Sequence, residues 1–254
     1  MKLKDISKII EDFAPISLAE NYDNCGFIYG NQNDEYISAL VSLDLTPSVA
    51  AEAVEKRCNI IIEHHPSIFS PLKNIDLDNP AILAMKMCID NNIAIYAAHT
   101  NIDNVKNGLN YAFMKKIEVN PCESLYGFNG FGTLSKSTTL KLFVDRLNQI
   151  LCDDTLFFVG NPQRIISKVF CVNGAGGDEE NLKKSIMVGA DVFISSEFKH
   201  HVLRFAKDSD YAIISTSHFS SESSFSSLIF EVLSEENIPN VLISRTCINP
   251  ITKE

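Results

Sequence analysis

Short, near-continuously apolar runs rich in β-branched residues recur along the chain, separated by segments of about 10 to 15 residues with helical periodicity. Runs that are apolar at consecutive positions suit strands covered on both faces, the situation of parallel strands joined by crossover helices. The pattern predicts strands at 37–46, 59–64, 92–99, 168–174, 191–196, 211–217 and 240–244. It predicts helices at 3–13, 48–57, 79–91, 104–117, 139–151, 179–188, 201–207 and 222–236. Pro47 and Pro80 fall in first turns, where a missing N–H costs nothing. The fold class is α/β with mainly parallel sheets.

The chain reads as two similar halves. The first runs "VSLDLT", helix, "CNIIIEHHPSIF", helix, "IAIYAAHTNID"; the second runs "VFCVNGAG", helix, "ADVFISSEFKHHV", helix, "AIISTSHFSSE". Each closes on strand, His, three residues, acid, which sets His99 against His218 and Asp103 against Glu222. The glycine- and serine-rich stretch 123–137 lacks helical periodicity and is the expected seam, dividing the chain into interlinked halves at 1–125 and 126–254.

Composition narrows the function classes. With 254 residues, 45% of them hydrophobic, the chain can bury a large core. A formal net charge of -10 with no Lys/Arg cluster argues against nucleic acid as a primary partner. Charges interrupt the first residues, "MKLKDISKIIEDFAP", and no run of about 18 apolar residues occurs, so neither a leader nor a membrane span is expected and the location is read as cytoplasmic. Seven scattered cysteines without a C-x-x-C pair indicate reduced thiols rather than a disulfide framework.

Polar residues that interrupt this apolar pattern gather at predicted strand ends, where open parallel sheets bind ligands. "NIIIEHHP" ends a strand in His64 and His65, and Pro66 helps to terminate it. Neighbouring residues in an extended chain point to opposite sides, so the two imidazoles can serve neighbouring ions only if the strand loosens there. The i, i+4 pairs His99/Asp103 and His218/Glu222 share one face wherever the segment is helical. A single histidine is more often a hydrogen-bonded structural residue than a ligand. Here the six histidines are confined to "HH", "HTNID", "KHH" and "HFSSE".

The segments "ENYDNCGFIYG", "IIIEHHPSIF", "IAIYAAHTNIDNVKNGLN", "FISSEFKHH" and "TSHFSSE" together resemble the GTP cyclohydrolase I type 2 homologue family, also called the Nif-three-like dinuclear metal proteins. The likeness runs nearly end to end. It implies metal ligands at His64, His65, Asp103, His218 and Glu222, with Asp103 or Glu222 able to bridge two ions. It also implies two similar α/β domains with the metal site in the cleft between them, and a homohexameric ring. This sequence departs from the family pattern at Tyr22, where the family has Trp, and at Ser196 and Ser217, where it has Gly. Neither serine replaces a ligand, but both put the substrate's shape nearby in question.

Three imidazoles and two carboxylates suit Zn, Mn, Fe, Co or Ni better than Mg or Ca. Two divalent ions beside two carboxylates keep a local positive surplus, which favours an anionic small-molecule substrate. The expected activity is metal-dependent hydrolysis of a nucleotide-like or phosphate-bearing small molecule; the alternative is a metal-binding scaffold or regulator without catalysis. His99 is the candidate catalytic residue, either moving a proton or orienting a ligand. Glu197 and His201 are read as lining the same cavity or as a solvated helix start. The glycine-rich stretch 173–182 reads as a tight turn that could cradle phosphate. Asp23, in "YDN", could hold a metal-site histidine, or could only make a turn.

Overall fold

The computed structural model describes residues 1–122 and 130–251. The chain divides into two compact units, Met1–Val105 with Phe225–Ile248, and Lys106–Ser224 with Asn249–Glu254.

The first unit opens with α1 (Leu3–Phe13), β1 (Gly26–Tyr29), β2 (Ala39–Ser42), α2 (Pro47–Glu55), β3 (Ile60–Glu63), α3 (Pro80–Asp90), β4 (Ala94–Ala97) and the short α4 (Thr100–Asn104). Helix α1 buries Leu3, Ile6, Ser7 and Ile10, the stripe expected of an amphipathic helix, and the Asp5 carboxylate accepts the Lys2 amide at 2.7 Å. Thr46 and Asn79 cap α2 and α3, each followed by proline at the first helical position. Strands β2, β3 and β4 are buried at every residue and pair in parallel; β1 pairs antiparallel with β4. Ile60, Ile61 and Ile62 are fully buried, and each such side chain contributes about 1.5–3 kcal/mol of transfer free energy.

The second unit follows with α5 (Leu109–Lys116), β5 (Val119–Pro121), β6 (Gly130–Thr139), α6 (Leu140–Leu151), β7 (Phe157–Val159), β8 (Ile165–Cys171), α7 (Glu179–Met187), β9 (Val192–Ser195), α8 (His200–Asp208), β10 (Ala212–Ser215) and α9 (His218–Glu222). Its sheet runs β5-β6-β8-β9-β10-β7. The three strands β8, β9 and β10 are parallel, with antiparallel additions on both sides.

The chain then returns to the first unit. Helix α10 (Phe225–Glu235) buries Phe225, Leu228, Ile229 and Leu233 and packs on α1, and β11 (Val241–Ile243) pairs in parallel with β2. The first sheet is therefore β1-β4-β3-β2-β11. A linear cut at residue 125 differs from this division, because β11 finds its ladder partner in β2 and carries the C-terminal segment back with it. Of the expected seam, residues 123–129 lie outside the described residues, and 130–137 belong to β6. All seven cysteines are unbridged. Among the described residues, no helix is long and apolar enough to cross a membrane.

Candidate metal centre

In the first unit the polar groups emerge from the carboxyl ends of β3 and β4. Strand β3 stops at Glu63, and the amides of both His64 and His65 turn to the Leu43 carbonyl, at 3.1 and 3.2 Å. Loosening the strand there lets both imidazoles face one region, with ring centroids 4.9 Å apart. Burial pushes the Glu63 carboxyl up to about 8; its Oε1 accepts the Ser67 amide at 2.7 Å and fixes the turn through Pro66. After β4, His99 occupies the position before α4, and the Asp103 amide returns to the His99 carbonyl at 3.3 Å. One helical turn thus separates His99 from Asp103. His64, His65 and His99 bring ligand atoms within 4.8 Å of one another. His64 Nε2 and Asp103 Oδ2 lie 3.9 Å apart, a span that an ion with bonds of about 2.0–2.2 Å can bridge.

Each of these imidazoles is held by its Nδ1. His64 Nδ1 donates to the Ala98 carbonyl at 2.8 Å, His65 Nδ1 to Asp44 Oδ1 at 2.7 Å, and His99 Nδ1 to Asp23 Oδ1 at 2.9 Å. An acceptor at Nδ1 fixes the proton there, so Nε2 carries the lone pair that would bind a metal. Asp23 does more than hold His99. Its other oxygen accepts from both the amide and the hydroxyl of Thr100, and Cys25 Sγ donates to it at 3.0 Å. Burial alone would raise the Asp23 carboxyl, but the hydrogen bonds from His99, Thr100 and Cys25 outweigh it and keep the group well below the usual carboxylate range.

The second unit presents a smaller set. Helix α9 places His218 and Glu222 one turn apart, with Nε2 and Oε2 at 2.9 Å. His218 Nδ1 donates to Glu197 Oε1 at 2.7 Å. A carboxylate oxygen beside each ring nitrogen calls for a cation between Nε2 and Glu222, either a second ring proton or a metal ion. Glu197 holds its place in a left-handed conformation, φ +56°, which a side chain adopts only at some cost. Gly174, φ +59°, lets the backbone approach the pair: a Cβ there would come within 2.1 Å of Glu222 Oε1 and 3.2 Å of His218 Nε2. Ser217 caps α9 through its Oγ, and the Asp153 carboxylate accepts the Ser217 amide at 2.6 Å.

Every expected ligand therefore falls at a strand end or in the turn beyond it: His64, His65 and Asp103 with His99 in the first unit, and His218 with Glu222 in the second. Glu197 orients His218, and Asp23 orients His99. His201 is exposed on the first turn of α8. The hydroxyls of the two serines that depart from the family pattern turn inward, Ser217 to the helix cap and Ser196 to Ser221 and Thr216. Asp44 has no local signal as a site residue, since it sits inside a predicted strand, and Gly174 reads only as part of a turn that could cradle phosphate, not as a neighbour of His218 and Glu222.

The donor chemistry fits a divalent ion of the imidazole-preferring kind, because neutral imidazoles with anchored Nδ1 and adjacent carboxylates are what such ions take. Fold and site together define an α/β protein with imidazole–carboxylate groups at the strand ends of two units, groups that could hold metal. A family model described as Duf34/NIF3 (NGG1p interacting factor 3) matches residues 1–250, and the chain belongs to that family. A Clostridium acetobutylicum relative named "GTP cyclohydrolase 1 type 2 homolog" is 34% identical over 87% of this chain and 85% of its own length. A Drosophila melanogaster relative named "NIF3-like protein 1" is 32% identical over 88% and 79%. A crystal structure of a Staphylococcus aureus protein shares the fold with a TM-score of 0.91 at 24% identity, covering 100% of this chain and 99% of that one.

Proposed function

We propose that these imidazole–carboxylate groups hold a pair of divalent ions, as the family resemblance implies, and that the protein is a metal-dependent hydrolase of a nucleotide-like or other phosphate-bearing small molecule. The observation that carries this reading is the common Nδ1 anchoring of His64, His65, His99 and His218. Three separate segments present four imidazoles, each oriented by an acceptor at Nδ1, which a merely structural histidine does not require. Divalent ions held this way supply Lewis acidity and a water acidic enough to attack near neutral pH. His64, His65 and Asp103 in the first unit and His218 and Glu222 in the second are the residues that would hold the ions. His99, held by Asp23, would accept a proton from the attacking water and return one to the leaving group, or would orient a neighbouring ligand. The name carried by the Clostridium relative directs the choice of nucleotides as first substrates. We also propose a homohexameric ring, the assembly implied by the family resemblance of the sequence motifs, which light scattering on the purified protein tests.

The test is turnover by manganese- or zinc-loaded protein against nucleoside phosphates and simple phosphoesters, comparing wild type with His64→Ala and Asp103→Ala. Hydrolysis by wild type that falls at least a hundredfold in both variants supports the reading. Turnover that survives both substitutions contradicts it, and metal binding without turnover of any compound favours a regulatory scaffold.

A further inference from the structure

Two aromatic rings at the rim of the first unit's donor set are left in solvent. Tyr22 is 65% exposed and Phe69 49% exposed, although the fold fully buries Tyr96, Phe113, Phe143, Phe170, Phe193 and Phe225 elsewhere. The rings come from separate loops, one after α1 and one after β3, and those loops are tied together. The Asn24 side-chain amide donates to the Ile68 carbonyl at 2.6 Å. Tyr22 meets Phe69 edge to face, with centroids 6.3 Å apart at 64°, and Phe69 meets His99 in the same way at 6.0 Å and 84°. A row of three rings thus leads from solvent to the donor set.

We propose that Tyr22 and Phe69 form the subsite for the planar heteroaromatic ring of the substrate, which identifies the substrate class as a nucleotide or nucleotide-like conjugate. This rests on the hydrolase reading above. Edge-to-face contacts leave ring faces uncovered, and a base stacks on such a face whatever its hydrogen-bonding pattern. The Asn24–Ile68 bond fixes the loops before a ligand arrives, so little ordering entropy is lost on binding. Continuity with His99 places the substituents of a seated ring toward the donor atoms. Leu72, Ile75 and Leu77, exposed farther along the same loop, make a second copy of the chain the competing occupant.

The test is calorimetric titration of manganese-loaded protein with guanosine 5′-monophosphate and with ribose 5-phosphate, which has the sugar and phosphate but no ring. Wild type is expected to bind the monophosphate at least tenfold more tightly, within the range of base–aromatic stacking. Tyr22→Leu and Phe69→Leu should each remove most of that margin while leaving ribose phosphate affinity and metal content unchanged, and Tyr22→Phe should retain it. Equal affinity for the two ligands overturns the subsite, as does equal weakening of both by the leucine variants. A changed oligomeric state in either leucine variant assigns the patch to contact between copies and also overturns it. Ring-dependent binding without hydrolysis would remove the hydrolase reading and keep the subsite. Hydrolysis with unaltered KM in the leucine variants would do the reverse.

Discussion

The two donor sets solve the same problem with different resources. In each unit a histidine and an acid four residues on are set by a short helix beyond a buried strand, and in each a buried carboxylate grips the backbone of that turn. Asp23 takes the Thr100 amide at 3.0 Å, just after His99, and Asp153 takes the Ser217 amide at 2.6 Å, just before His218. The difference lies at the neighbouring strand. Strand β3 is followed by His64 and His65, two imidazole donors, whereas β9 is followed by Ser196 and Glu197, which supply a hydroxyl to the interior and an orienting carboxylate. The repeat conserves the scaffold that aims a ligand, and the residues carried on it vary.

That contrast can be broken first at Gly174, which only the second unit uses. Gly174→Ala puts a methyl group against Glu222 in a left-handed backbone, and manganese affinity of the second unit's set is expected to fall by about a hundredfold or more in calorimetric titration. Unchanged affinity would show that the backbone approach has no bearing on the pair. Next come the orienting carboxylates, one from each unit. Asp44→Asn and Glu197→Gln should each weaken metal binding about 10- to 100-fold, read by competition with a chelator. A loss in only one variant would confine the anchoring role to that unit.

A smaller effect is expected at Asp153. Burial would raise its carboxyl, but hydrogen bonds from Thr155 and Ser217 outweigh that and hold it below the usual range. A carboxylate with a depressed folded pKa stabilises above its unfolded value and loses that contribution as pH falls through the folded one. Asp153→Asn should therefore cost about 1.5–3 kcal/mol at pH 7 in urea denaturation, and the gap to wild type should narrow below about pH 4. A gap independent of pH would mean that packing, not charge, accounts for the loss. Smallest is the cap: Ser217→Ala should cost about 1 kcal/mol in the same denaturation experiment, since the buried Ser220 amide loses its acceptor.

The sequence was most legible where burial is two-sided. All seven predicted strands exist, six shortened at their ends and β8 displaced three residues towards the N-terminus, and they are β2, β3, β4, β8, β9, β10 and β11, the members of the parallel ladders. Among the described residues the four unpredicted strands, β1, β5, β6 and β7, pair antiparallel and are partly exposed, and their apolar runs, such as "FIY" in β1 and "FFV" in β7, are too short to mark a strand. In β6 glycine and serine disguise a ten-residue strand as a seam. At the site, residues whose role follows from their own segment could be read, such as His64 before Pro66 or the His218/Glu222 spacing. Asp44, Glu197 and Gly174 act on side chains 21, 21 and 48 residues away, Gly174 on Glu222, and no local pattern reports a partner at such a distance.

Anomalous scattering from crystals of the manganese-loaded protein bears most directly on the proposed centre. The account predicts ions bonded through Nε2 of His64, His65 and His218 and through the carboxylates of Asp103 and Glu222, with each Nδ1 still on Ala98, Asp44 or Glu197. Ions bonded through Nδ1, or no ion at either set under saturating metal, would contradict it.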